Sequence, residues 1–111
     1  MAFKLATERR FKTKILIRMP NEKGTHSQID FFAIFKSLKV SDINALRAAG
    51  EDLELLKQVF VGFENVENED GSPAEFTEEA RDRLLDEPLV LAALSQAYLA
   101  EAINGTGRQK N

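Results

Sequence analysis

Hydrophobic and polar residues alternate along the first third of the chain. In residues 11–19 most odd positions are apolar, whereas the even positions include Lys12 and Lys14, and residues 26–35 alternate in the same way. A period of two residues is typical of a strand that buries one face. Residues 20–24, PNEKG, supply the proline and glycine of a turn between the two runs. The pattern therefore predicts a β-hairpin.

From residue 41 the apolar residues recur at helical spacing. A first helix is expected to be capped by Ser41 or Asp42 and ended by Gly50. A second helix is expected to follow, because its apolar residues fall at i, i+3 and i+7 and neighbouring apolar residues widen that stripe. The residues of this second stripe are Leu53, Leu56, Val59, Phe60 and Phe63.

Two more helices are predicted beyond a polar segment that is rich in acidic residues. Thr77 has the side chain of an N-cap, and the helix that follows it displays Leu84 and Leu85. Pro88 fits the first turn of a fourth helix that runs to about Ile103, since a proline there needs no partner for an N–H group.

These elements predict one domain of the α+β class. Its N-terminal β-hairpin is expected to pack its apolar face on a small C-terminal bundle of about four helices. The 111 residues contain no internal repeat and no linker that would separate two cores. We expect a single domain over residues 1–111, with flexible ends at residues 1–10 and 104–111.

Charge is distributed unevenly along the chain. Residues 1–50 contain ten Lys or Arg and four Asp or Glu, whereas residues 51–88 contain three basic and thirteen acidic residues. Such polarity can orient a partner or favour head-to-tail self-association, or it can reflect two solvated faces of opposite charge. The basic half has no RNP, zinc-finger or helix-turn-helix signature, so no nucleic-acid partner is expected.

Membrane association is not expected either. No stretch approaches the roughly 18 apolar residues that a membrane span needs. The basic N-terminal residues lack the apolar region of a signal peptide, so the sequence does not predict export.

Residues that usually carry catalysis or bind cofactors are scarce. The chain has no cysteine and a single histidine, His26, which has no second histidine for a metal pair and no motif-spaced partner for a catalytic triad. The pairs of adjacent acidic residues in the chain fall at the starts of predicted helices, where a negative charge interacts favourably with the helix dipole. We expect a protein that is not an enzyme and that has no catalytic residues and no cofactor.

The acidic segment NVENEDGSPAEFT, residues 65–77, has some features of a calcium loop. An EF-hand places glycine at its sixth position, so Gly71 sets the register. Val66 would then occupy the first position and Thr77 the twelfth, where calcium needs oxygen ligands that these residues do not supply. We predict a turn at Asp70 and Gly71 instead, and no metal site.

Apolar and aromatic residues exceed what one buried face needs. Strand alternation places Phe32 and Ile34 opposite the face formed by Phe31 and Phe35, and the second predicted helix has apolar residues beyond one stripe. This surplus is either covered by a second layer of structure or exposed for a partner. The candidate partner-binding residues are Phe32, Ile34, Phe60, Val61 and Phe63.

A series of short motifs spans most of the chain. A Phe-rich strand is followed by an aromatic segment with a glycine, an acidic Asp-Gly turn and the starts of two helices. In chain order the motifs are IDFFAIFK (29–36), VGFENV (61–66), Asp70-Gly71, FTEE (76–79), LLD (84–86) and Pro88.

This series resembles the tail assembly chaperones of long-tailed bacteriophages and prophages, over about residues 11–103. Members of that family typically have an aromatic G-W-x-x-V motif, then D-E-D-G, P-F-S/T and L-L-D-x-P. Here Phe63 replaces the usual Trp, and two residues separate Pro73 from Phe76. The matching residues, expected to be mainly structural, are Phe63, Asp70, Gly71, Phe76, Thr77, Leu84, Leu85 and Pro88.

The resemblance implies a non-enzymatic binding protein that acts in phage tail assembly. Proteins of this family are thought to bind the helical tape measure protein, keep it soluble and help to recruit the tail tube protein. The resemblance also implies a location in the host bacterial cytoplasm and absence from the mature virion. Two alternatives remain open: a minor structural protein of the virion, such as a head–tail joining or connector component, and a small regulatory adaptor.

Overall fold

The computed structural model describes residues 9–104, which form three strands, four α-helices and one π-helical turn. In chain order these are β1 (Arg10–Pro20), β2 (His26–Lys36), α1 (Val40–Ala48), α2 (Asp52–Val59), β3 (Phe60–Glu64), α3 (Glu78–Leu85), α4 (Pro88–Leu99) and the π-helical turn Ala100–Asn104. The strands form one antiparallel sheet in the order β1–β2–β3. The predicted α+β class, with a hairpin followed by helices, is confirmed.

Most of the two predicted flexible ends lies outside the described residues. Arg10 and Asn104 are exceptions, because Arg10 begins β1 and Asn104 ends the π-helical turn. The neighbouring Arg9 is also held in place, since its carbonyl oxygen accepts a hydrogen bond of 2.9 Å from the backbone N–H of Ser37.

The predicted β-hairpin is present, and β1 and β2 pair over the whole of their length. Asn21 organises the turn between them. Its Oδ1 accepts hydrogen bonds from the backbone N–H groups of Lys23 at 3.0 Å and Thr25 at 3.2 Å. Gly24 adopts φ +81°, a left-handed conformation that glycine reaches without strain. The polar and glycine residues of the turn thus set the register of the two strands.

One hydrophobic core lies between one face of the sheet and the helices. Alternation along the hairpin buries Ile15 and Ile17 of β1 and Phe31 of β2 on the expected face. Helix α4 covers this face with residues spaced four apart, so that they lie on one side of the helix. The buried core residues are Ile15, Ile17, Phe31, Ala33, Phe35, Ile43, Leu55, Leu56, Val59, Phe60, Leu85, Val90, Leu94 and Tyr98.

The second predicted helix is shorter than expected, and its extension through Phe63 is wrong. Helix α2 ends at Val59, and the next five residues form β3, which pairs antiparallel with β2. Phe63 therefore lies opposite Ala33 across the sheet. Leu53 was also expected in the apolar stripe, but 44% of it is exposed.

Local sequence and contacts from distant parts of the chain together explain why the helix stops at Val59. Aromatic and β-branched residues favour a strand here, and Gly62 disfavours a helix by about 1 kcal/mol relative to alanine. Pairing with β3 also satisfies backbone groups along an edge of β2. At the end of α2, the Arg81 guanidinium donates a hydrogen bond of 3.1 Å to the Lys57 carbonyl oxygen, near a helix end that leaves carbonyl groups without helical partners.

The two ends of α1 differ in how closely they match the sequence-based prediction. Lys39 is the N-cap and makes no capping hydrogen bond through its side chain, so the predicted caps Ser41 and Asp42 are wrong. Both residues lie inside the first turn, where the charge of Asp42 suits the helix dipole. The helix ends as expected, since Gly50 has φ +72° and its N–H donates to the Arg47 carbonyl oxygen at 3.0 Å.

Helices α3 and α4 begin where the sequence predicts. Thr77 caps α3, because its Oγ1 accepts a hydrogen bond of 3.0 Å from the backbone N–H of Ala80. Pro88 occupies the first turn of α4, and the helical backbone continues beyond Leu99 as the π-helical turn. Even with this extension, no helix of residues 9–104 is long and apolar enough to cross a membrane.

Tyr98 joins α4 to the hairpin from inside the core. Its hydroxyl donates a hydrogen bond of 3.1 Å to the carbonyl oxygen of Lys36, and its ring lies edge-on to Phe35 with centroids 5.2 Å apart. Burial raises the pKa of the Tyr98 phenol, and hydrogen bonding with the backbone of Leu38 partly offsets this effect. The folded state therefore disfavours the phenolate.

Replacing Thr77 by alanine should lower the free energy of unfolding by about 1 kcal/mol, because the Ala80 N–H would lose its partner. Urea denaturation followed by circular dichroism measures the change. Ser41→Ala is the matched control, since α1 receives no side-chain cap, and its effect should stay within about 0.5 kcal/mol. Equal losses in the two variants would contradict the cap.

Stability should fall as the pH rises above about 10, the pKa of an unperturbed tyrosine. Above that pH the unfolded state loses the phenol proton, whereas the folded state, in which the pKa is raised, retains it, so unfolding becomes more favourable. Tyr98→Phe should weaken this alkaline decline, since the chain has no other tyrosine. The free energies of unfolding of both proteins, each relative to its own value at neutral pH, test this. Parallel declines would show that Tyr98 does not contribute.

Candidate partner-binding surfaces

The acidic segment 65–77 forms a turn that its own side chains stabilise. Asp70 Oδ1 accepts hydrogen bonds from the N–H of Ser72 at 2.9 Å and from its hydroxyl at 2.6 Å, and Gly71 has φ +88°. The predicted Asp70-Gly71 turn is thus confirmed. These hydrogen bonds lower the pKa of Asp70, since they stabilise its carboxylate. Within residues 9–104, no three acidic or histidine side chains form a group that could hold a metal ion.

The residues behind the family resemblance lie at structural positions between β3 and the last two helices. The Phe76 ring packs edge-on against Phe60 and Phe63, with centroids 5.4 and 5.0 Å apart. Leu85 is buried in the core, and Leu84 packs against it. The remaining matches form the turn and the two helix starts described above: Asp70, Gly71, Thr77 and Pro88.

The five candidate partner-binding residues do not lie on one surface. Phe60 is only 1% exposed, so its assignment to a partner surface is wrong; the strand turns this side chain into the core. Phe63 is half-buried against the same core, with its ring centroid 6.4 Å from that of Phe60. Phe32 and Ile34 alternate to the opposite side of the sheet, and Val61 lies where the pairing of β2 with β3 is irregular.

We call the side of the sheet that faces away from the helices the outer sheet face. Its apolar centre is formed by Phe32 and Ile34 of the central strand, which are half-buried and do not pack against the core. Val61 of β3 is likewise half-buried outside the core. These three are the candidate residues that the structure leaves on a surface.

Ion pairs frame this apolar centre. Lys12 Nζ lies 5.2 Å from the centroid of the Phe32 ring and 3.2 Å from Glu64 Oε1 of β3, so the side chain crosses the central strand. Lys14 Nζ lies 3.8 Å from a carboxylate oxygen of Asp30. These charged groups are about half exposed, and such pairs stabilise a fold by at most about 1 kcal/mol each. A partner can therefore displace them at little cost.

Gly62 lets Ile34 pack directly over the backbone of β3. The two residues are opposite each other in the sheet. A Cβ atom at position 62 would lie 3.2 Å from Ile34 Cδ1 and 3.3 Å from Ile34 Cβ, closer than ordinary packing allows. The missing side chain thus extends the apolar centre from β2 towards the β3 edge.

A second surface lies near the turn of the hairpin, on the side of the sheet that faces the helices. This concavity, which we call the hairpin groove, has a volume of 510 Å³. The exposed Glu67 and Glu87 form its acidic rim, the partly buried Asp30 also lines it, and the lining contains no lysine or arginine. The apolar residues that line it are Ile17, Met19, Ile29, Phe31, Val66, Leu84 and Val90.

Unequal element lengths explain why the groove is open. The 11 residues of each hairpin strand span about 36 Å, whereas the 12 residues of α4 rise only about 18 Å. The hairpin therefore extends past the helix that covers it, and Ile29 is left 43% exposed. The groove could not be predicted from the sequence, because this difference in length matters only after the elements have packed. The apolar Met19 and Ile29 close to a polar turn were the available signal.

Gly62→Val should lower the free energy of unfolding by about 1–3 kcal/mol, because the added atoms have to displace Ile34. In the double variant with Ile34→Ala, the loss of stability should be smaller than the sum of the two single losses. The reason is that alanine lacks the Cδ1 atom that a side chain at position 62 would meet at 3.2 Å. Chemical denaturation of the wild type, both single variants and the double variant measures this interaction. Strictly additive losses would contradict the close contact.

Comparison with known proteins does not assign the chain to a family. No protein-family model, no curated protein and no solved structure matches it. Function is therefore inferred from the two surfaces described above, together with the resemblance in the sequence motifs.

Proposed function

We propose that this protein is a non-enzymatic tail assembly chaperone of a long-tailed bacteriophage or prophage, and that its outer sheet face binds the tape measure protein. The observation that carries the proposal is the apolar centre of that face. Phe32 and Ile34 stand on the central strand, pack on no core residue, and are crossed by the side chain of Lys12. Apolar side chains in such a position favour a binding surface.

The spacing of these side chains suits a helical client. Residues two apart on a strand lie about 7 Å from each other along its axis. Side chains three or four apart on a helix are about 5–6 Å apart, so one stripe of an amphipathic helix can contact Phe32 and Ile34 together. The framing charges have both signs, with Lys12 and Lys14 on one strand and Glu64 on another. They can therefore pair with charges that flank the apolar stripe of the client.

The small size of the apolar centre favours weak contacts with each copy of the chaperone. Weak contacts permit release, which a chaperone that leaves its client requires. Tight overall binding then comes from many copies along one long helix, because contacts that are linked together raise the effective affinity. In this proposal the chain covers the tape measure protein and helps to recruit the tail tube protein.

The proposal places the protein in the host bacterial cytoplasm and outside the mature virion. It distinguishes the chaperone from a minor structural component, which would remain in the particle, and from a small regulatory adaptor, which would not depend on the tape measure protein.

Co-expression with the tape measure protein of the same genome tests the proposal. We expect the two proteins to co-purify, and the tape measure protein to aggregate when it is expressed alone. The double variant Phe32→Thr and Ile34→Thr places β-branched residues, which suit a strand, at both positions. It should reduce the recovered complex at least about tenfold if the apolar centre supplies about 1.4 kcal/mol or more.

Leu53→Gln is the matched control, because it removes an apolar side chain of 44% exposure from α2, away from both surfaces. Its recovered complex should equal that of the wild type. Absence of any complex with the wild-type chain, or detection of the chain in purified virions by mass spectrometry, would overturn the chaperone proposal. A complex that is unchanged in a folded double variant would exclude the outer sheet face as the binding surface.

A further inference from the structure

We propose that copies of this chain associate head to tail, with Leu16 of one copy entering the hairpin groove of the next. This inference goes beyond the chaperone function, since it involves no client and uses residues outside the apolar centre of the outer sheet face. Two complementary surfaces on the same molecule carry it.

The hairpin groove is the receiving surface. It is apolar inside, and Ile29 is 43% exposed there, although its neighbours on the same sheet face, Ile17 and Phe31, are buried. On the rim, the exposed side chains of Glu67 and Glu87 make no ion pair within residues 9–104. The groove thus fits an apolar side chain with positive charge on either side of it.

Leu16 and its neighbours form a surface of this kind. Leu16 is 56% exposed on β1, which is an edge strand of the sheet. The residues two before and two after it on the same face are Lys14 and Arg18. Arg18 makes no ion pair within the described residues, and Lys14 makes only the long contact of 3.8 Å with Asp30. Both cations are therefore available to carboxylates of another copy.

The volume of the groove is compatible with this occupant. At 510 Å³ it has space for the Leu16 side chain and for the apolar stems of Lys14 and Arg18, whose charged ends would reach the acidic rim. A contact of this size is small, so we expect a dissociation constant on the order of 10 µM or weaker.

The placement of the two surfaces makes the contact directional. Leu16 lies on the outer sheet face, whereas its neighbour Ile17 points to the opposite face and forms part of the groove floor. One copy can therefore insert its Leu16 into the groove of a second copy while its own groove accepts Leu16 of a third copy. Such a heterologous contact extends into a chain or closes into a ring. A symmetric contact between two grooves is disfavoured, because Glu67 and Glu87 of one molecule would lie close to Glu67 and Glu87 of the other and would repel them.

Sedimentation velocity of the purified chain, from about 1 µM to about 1 mM, tests the proposal. We expect oligomers that grow with concentration and that dissociate as salt screens the charges. Leu16→Glu and Ile29→Lys should each remain monomeric. Mixing these two variants should produce 1:1 dimers and nothing larger, because the mixture contains one intact Leu16 surface and one intact groove.

Leu16→Thr, which suits a strand, serves as a second variant if Leu16→Glu does not fold, and circular dichroism checks each variant. Leu53→Gln should associate like the wild type. The proposal would be overturned if the wild-type chain stayed monomeric at every concentration or formed dimers that never grew. It would also be overturned if folded Leu16 variants associated like the wild type, or if the mixture of folded variants formed no dimer. None of these outcomes bears on co-purification with the tape measure protein, so the two proposals can fail separately.

Discussion

The antiparallel pairing of β3 with β2 is the contact on which most of the architecture depends. It makes β2 a central strand and brings Phe60 next to Phe35, with ring centroids 6.0 Å apart. Phe76 then packs on Phe60, so aromatic contacts run from the hairpin to the start of α3. Arg81 connects α3 to the end of α2 through the Lys57 carbonyl. Without β3, α4 would still pack on the hairpin, but the aromatic contacts that run from the hairpin through Phe60 to Phe76 would be lost.

The same sheet accounts for both candidate surfaces. An antiparallel sheet can cover one face and leave the other to solvent, and the alternation of β2 assigns Phe31 to the core and Phe32 to the outer face. The length of the hairpin then produces the groove. One surface is broad and framed by charges of both signs, and the other is concave with an acidic rim. The Leu16 side chain that is proposed to enter the groove also lies on the outer sheet face, next to Lys14, one of the charges that frame the apolar centre.

Features that depend on a few neighbouring residues could be predicted from the sequence. Alternation predicted the hairpin and the outward direction of Phe32, and the hydroxyl of Thr77 predicted the start of α3. The strand β3 could not be predicted in this way, because the spacing of Val59, Phe60 and Phe63 fits a helix as well as it fits the end of α2 followed by a strand. The deciding factor was an edge of β2, far away in the sequence. The groove escaped prediction for the same reason, since it depends on how long the packed elements are relative to each other.

The late position of β3 also imposes an order on events during synthesis. The hairpin strands are joined by a short turn and can pair once Lys36 is available, whereas Phe60 follows 24 positions later. A ribosome adds about 5–20 residues per second, so β2 waits on the order of seconds for its second neighbour. Lysines on β1 discourage edge-to-edge pairing on that side of the hairpin, but the Phe-rich strand keeps an open edge and uncovered aromatic rings meanwhile. During that interval the nascent chain needs the same shielding that a chaperone provides for its client.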